Sequence, residues 1–275
     1  MTREDPRLRL IRQASDIRRA KESGQMGIIL HFQGTEPIEN DLNLVHLFKE
    51  LGVGMIQLAY NVKNRVGDGC EERTDAGLSR FGLKLIRELN QARVVVDCSH
   101  TGYRTTMEAL EASTRPVVFS HANVKAVHDS PRNIRDDQIK AAAESGGLIG
   151  MVGFPAFVSG DPHPTLDQFI DHMDYITDLT GSGDHVALGI DYFQGQAGVM
   201  EDDEAQELYR GIVASGRWQP DNYPPPPYRY PQGIDTPRDL PNLTAGLLAR
   251  GYREEDVKKI LGGNWVRVFE EVWGE

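Results

Sequence analysis

Short apolar runs alternate with helical patterns along this chain, and most runs stop at polar residues able to do chemistry. Six runs are legible, at 26–32, 53–60, 93–97, 117–120, 148–153 and 185–190. Between them, apolar residues repeat at helical spacing over 41–51, 81–90, 105–112, 136–145 and 165–179. Parallel strands need a long crossover, usually a helix, so this alternation predicts a parallel sheet. Runs with no polar alternation fit strands buried on both faces. The expected fold class is α/β, a (β/α) barrel occupying 1–275 as one domain, with active residues at the C-terminal strand ends. A doubly wound open sheet is the alternative, disfavoured because no glycine-rich phosphate loop opens the chain.

The rest of the chain is placed around this pattern. Residues 7–23 read as an amphipathic helix ended by Gly24. Thr165 and Gln168 fit a capping box. The polar loop 61–79 is longer than ordinary connections, which marks it as functional or mobile. Residues 197–238 read as an irregular surface excursion. Helices over 240–250 and 254–272 follow, with Trp265, Val268, Phe269 and Trp273 as a core-facing stripe.

A length of 275 residues with 39% hydrophobic composition allows one large, well-buried core. A net charge of -11 argues against nucleic acid or an anionic membrane as the main partner. Two cysteines, Cys70 and Cys98, make no disulfide framework and fit reduced thiols. The charged N-terminal stretch has no apolar signal core, and no run approaches the roughly 20 apolar residues a spanning helix needs. A cytoplasmic location is expected by default.

The strand ends gather His31 and Gln33, Tyr60 and Asn61, Asp97 and His100, His121 and Asn123, and Asp191. Two of them repeat one pattern: Val94–Val96 leads to Ser99-His100, and Pro116–Phe119 leads to Ser120-His121. Two imidazoles and a carboxylate from different strands suit a divalent metal such as zinc, with an open position for water. The ordinary reading of such a histidine is a hydrogen-bonded structural residue. Asp97 is either an orienting partner of His100 or a buried acceptor. His46 and His172 fall in helical patterns and read as surface residues; His128 and His163 fall in loops. Arg132, just after the fourth run, is able to grip a carboxylate by two points or to form a loop salt bridge. Glu71, Glu72 and Asp75 read as solvated charges unless their loop folds over the site.

At these residues the chain resembles the renal (membrane) dipeptidase family, the M19 metallopeptidases. The matching segments are ILHFQG, LGVGMIQLAYNVKN, DAGLSRFG, VVVDCSH, VVFSHAN, SPRN, GGLIG, ALGIDYFQG and LGGNWVRVF, in family order across most of 16–273. The resemblance implies an amidohydrolase-like (β/α)8 TIM-barrel fold, here lacking its first two β/α units. It implies hydrolysis of a dipeptide or related small amide with one or two zinc ions. His100 and His121 resemble histidines on one zinc. Asp191 resembles the final-strand aspartate, a ligand or proton carrier. Arg132 resembles the arginine that holds the substrate carboxylate. Tyr60 and Asn61 fall at the substrate side.

Three departures accompany the match. Gln33 stands where the family has a bridging glutamate, and Tyr60 where it has a histidine. No His-x-Asp pair precedes Gln33. The missing units imply a shortened N-terminus, or a gap filled by the leading helix or by another subunit, as in a homo-oligomer. A non-catalytic or chemically diverged relative that binds a small carboxylate-bearing metabolite is the alternative to a dipeptidase.

Overall fold

The computed structural model describes residues 5–274; residues 1–4 of the charged N-terminal stretch and residue 275 lie outside it. Contacts divide the chain into two compact units, the first of 1–118, 144–147 and 265–275, the second of 119–143 and 148–264.

The first unit holds β1 (Leu8–Leu10), β2 (Met26–Ile28), β3 (Leu30–Phe32), β4 (Val53–Gln57), β5 (Val95–Asp97) and the start of β6 (Val117–Ala122). β3, β4, β5 and β6 pair in that order and in parallel, with Gln57 opposite Asp97 and Val96 opposite Val117. Every residue of β4 and β5 is buried, which explains the uninterrupted apolar runs. The helix Arg80–Gln91 is capped by Ser79, whose hydroxyl accepts from the Gly82 amide, and it buries Leu85, Ile86 and Leu89. The C-terminal helix Asn264–Trp273 buries Val268, Phe269 and Trp273, and the Trp273 indole donates to the Gly54 carbonyl at 3.0 Å.

Two expectations change here. The predicted helix over 7–23 is a strand followed by a shorter helix, Ala14–Glu22. Leu8 to Leu10 finds a partner 18 residues away, in Met26 to Ile28, and a paired strand overrides the local helical period. For the same reason the run 26–32 is not one strand: β2 pairs with β1, and β3 pairs with β4.

The second unit holds the rest of β6, then β7 (Ile149–Met151) and β8 (Val186–Leu188), paired in that order and in parallel. The helix Leu166–Thr180 carries the expected Thr165–Gln168 capping box and buries Phe169, Ile170, Met173 and Ile176. The excursion 197–238 is not wholly irregular: it contains the helix Asp202–Ala214. Three acids, Asp202, Asp203 and Glu204, occupy its first turn, where they complement the helix dipole. No helix among the described residues is long and apolar enough to cross a membrane.

His172 is not a surface residue. It is fully buried; its Nδ1 accepts from the Val124 amide at 3.1 Å, and its Nε2 faces the Val158 carbonyl at 2.9 Å. The ring is thus held neutral, and burial drives its pKa from 6.5 down to about 4. A folded-state pKa below the unfolded one means that stability is complete above about pH 6.5 and falls as pH drops toward 4. Lost stability of about 3 kcal/mol is expected over that window. Urea unfolding between pH 7 and pH 4, comparing the native chain with His172→Gln, checks this. Parallel pH curves for the two proteins would defeat it.

Candidate functional site

In the first unit the chemistry collects at the ends of β3, β4 and β5. Asn61 and His100 are both buried and both adopt left-handed backbone, with φ of 59° and 61°. Such strain in non-glycine residues is concentrated at functional sites. His100 Nδ1 lies 2.6 Å from Asn61 Oδ1. An amide oxygen only accepts, so Nδ1 carries a proton, and in the neutral tautomer the lone pair lies on Nε2. Tyr60 stacks on the same ring, with centroids 4.0 Å apart and planes 23° apart.

The loop 61–79 is fastened over this pair. The Cys70 thiol also donates to Asn61 Oδ1 at 3.6 Å, the Cys70 amide donates to the His100 carbonyl at 2.8 Å, and the Glu71 amide to the Asn61 carbonyl at 2.8 Å. Gly69 makes the approach possible, because a Cβ there would sit 2.1 Å from the Asn61 carbonyl carbon. Glu72 and Asp75 anchor the loop: Glu72 accepts from the Lys63 amide, and Asp75 from the amides of Gly77 and Arg104. The Lys63 amide and its own neighbour Arg73 hold the Glu72 carboxyl below its usual range.

Asp97 is a buried acceptor. Its Oδ1 takes the Ser99 amide at 2.9 Å, and its Oδ2 lies 3.1 Å from His31 Nε2 without hydrogen-bond alignment. The Gln33 side chain is exposed, and its main-chain carbonyl accepts from Nε2 of the buried Gln57.

In the second unit, His121 is buried, and its Nδ1 lies 2.7 Å from the Ser120 hydroxyl. A hydroxyl donates or accepts, so this contact orients the ring without choosing its tautomer. Asn123 is structural: it donates to the Val152 and Phe157 carbonyls and accepts from the Val152 amide. Arg132 is buried. Its Nε donates to the Tyr223 hydroxyl at 3.1 Å and its Nη2 to the His121 carbonyl at 3.3 Å, and the guanidinium lies 5.1 Å from the Phe157 ring centroid. Asp191, just past β8, is exposed with φ 59°, and the Tyr230 hydroxyl donates to its main-chain carbonyl. Nothing in the sequence pattern marks Tyr223 or Tyr230, which come from the excursion. The left-handed strand ends left a faint one, since Asn, Asp and His tolerate that backbone best.

The family model for membrane dipeptidase, peptidase family M19, matches residues 1–215 and 227–273. This chain belongs to that family. An uncharacterized dipeptidase of Schizosaccharomyces pombe is 32% identical over 260 residues, covering 93% of this chain and 54% of that protein. The chain thus spans about half the length of that relative. Among solved structures, an amidohydrolase from Pseudomonas aeruginosa is 35% identical with a TM-score of 0.87, over 100% of this chain and 82% of the other. A metallo peptidase from Rhodobacter sphaeroides, liganded with a phosphinate mimic of L-Ala-D-Ala, is 26% identical with a TM-score of 0.80, over 97% and 69%. The fold is accordingly the α/β amidohydrolase-like TIM-barrel type of these M19 dipeptidases.

Membership in this metallopeptidase family implies a metal cofactor. The donors answer in part. His100 has the tautomer a metal ligand needs, fixed by a neighbour as metal-binding histidines are. Gln33 and Tyr60 supply no anionic donor. Among the described residues no group of three or more His, Cys, Asp or Glu side chains is gathered that could hold a metal ion. The residues therefore fit imidazole ligation of one ion and do not supply the charge that a pair of ions needs.

Proposed function

We propose that this protein is a metal-dependent hydrolase of a dipeptide, or of a related small amide with a free carboxylate. Family membership carries the reading, and the fixed tautomer of His100 supports it. His100 and His121 would be this chain's nitrogen donors to a zinc ion. When bound, the ion supplies Lewis acidity at the reacting carbonyl.

The other roles belong to side chains. Asn61 holds His100 Nδ1, and Tyr60 covers one face of the ring, so the two keep the imidazole in one pose at the substrate side. Arg132 binds the substrate carboxylate. Asp191 takes the proton of the attacking water and delivers it to the leaving amine, as a general base and then a general acid. A reducing, cytoplasmic setting suits two cysteines, Cys70 and Cys98, that are not joined in a disulfide.

The test is a panel of dipeptides with L- or D-residues at the carboxyl end, offered to the zinc-loaded protein. Release of both amino acids, abolished by a chelator and restored by zinc, is expected. Failure to cleave any member with metal bound would defeat the reading.

A further inference from the structure

The excursion brings Tyr223 to Arg132 and Trp218 to Tyr223, and the family match covers neither aromatic residue. Trp218 and Tyr223 fall between the matched segments 1–215 and 227–273. Both are buried, and their rings stack with centroids 4.5 Å apart and planes 8° apart. Tyr223 meets Phe157 edge to face at 5.2 Å, and Phe157 presents its ring to the Arg132 guanidinium. The Tyr223 hydroxyl accepts from Arg132 Nε.

We propose that Tyr223, seated by Trp218 and Phe157, is a positioning residue for Arg132 and sets how strongly the protein prefers a free substrate carboxylate over its amide. The proposal rests on the reading of Arg132 as the carboxylate-binding group.

The physical case is one of orientation. A guanidinium grips a carboxylate by two parallel hydrogen bonds, and that grip depends on the plane of the fork. A flexible arginine loses side-chain entropy each time it takes up that plane. Here the Nε end is held by a phenol oxygen, one Nη by the His121 carbonyl, and the plane rests near an aromatic ring. The phenol and the carbonyl are neutral acceptors, so these contacts orient the guanidinium without cancelling its charge. Burial strengthens the interaction of that charge with an incoming anion. The stacked indole holds the phenol ring in turn, so its hydroxyl does not swing away from Nε.

The preference for the acid is read directly by calorimetry on the metal-loaded full chain. The probes are the phosphinate mimic of L-Ala-D-Ala and the same mimic with its terminal carboxylate amidated. The native protein is expected to bind the acid about 100-fold more tightly, as a buried charged pair allows. Tyr223→Phe keeps the stacked ring and removes only the hydroxyl; it is expected to cut the acid-to-amide ratio about tenfold. Phe157→Leu, a second variant, should cut it by about threefold. A native ratio near one would overturn the proposal. So would a Tyr223→Phe protein that keeps the native ratio, or one that weakens acid and amide equally. Turnover is not read in this experiment. A protein that binds the mimic but cleaves no dipeptide would defeat the hydrolase reading alone, and the ratio would still decide the role of Tyr223.

Discussion

His121→Ala is expected to lower dipeptide turnover by about a thousandfold and to leave a folded protein that takes up less zinc. The imidazole sits at the end of β6, buried and oriented by the hydroxyl of its own sequence neighbour, Ser120. Under the proposed function it is one of two nitrogen donors from this chain, so nothing else replaces it. The carbonyl of His121 is a separate matter. It accepts from Arg132 Nη2 and survives the substitution, so the carboxylate grip should persist. The expected signature is therefore a collapse in kcat with a smaller change in KM. Zinc per chain, measured beside steady-state kinetics, checks both halves. Turnover within tenfold of the native protein would remove His121 from the metal site.

The second large effect lies in the backbone. Gly150→Ala is expected to destabilise the protein by about 3 kcal/mol or more. A Cβ at Gly150 would fall 2.1 Å from the Ser120 carbonyl oxygen, and the obstacle is main chain, which no rotamer change relieves. β6 pairs with β7 at this level, so the strand carrying Ser120 and His121 has to shift or the pairing has to open. Urea unfolding measures the cost, and a Gly150→Ala protein as stable as the native one would show that the close approach is not required.

Much of the fold is legible in the sequence. The parallel strands β4 to β7 announce themselves because both faces of each are buried, which makes a strand read as an apolar run. His100, His121 and Asp191 stand out as candidates because such runs stop abruptly, and Arg132 because it follows one of them. Local rules failed where a distant partner decides. Leu8 to Leu10 has a helical period and becomes a strand because Met26 to Ile28 pairs with it. The stretch 197–238 reads as irregular because of its proline run at 224–227, yet it holds the helix Asp202–Ala214, opened by an acidic first turn. Tyr223 is 91 residues from the arginine it holds, and no spacing rule connects them. His172 looked like one polar residue on an amphipathic helix, yet the Val124 amide and the Val158 carbonyl made its burial affordable.

The left-handed backbone at Asn61, His100 and Asp191 bears on how this protein tolerates change. Each such residue holds a conformation that costs roughly 1 kcal/mol or more and that glycine would adopt freely. A lineage selected for thermal robustness alone would drift toward glycine at these three positions. Under the proposed function, a lineage retained for its chemistry keeps an amide, an imidazole and a carboxylate there and carries the strain. The identity of these three residues in any newly sequenced homologue thus becomes a simple marker separating chains that still work from chains that merely fold.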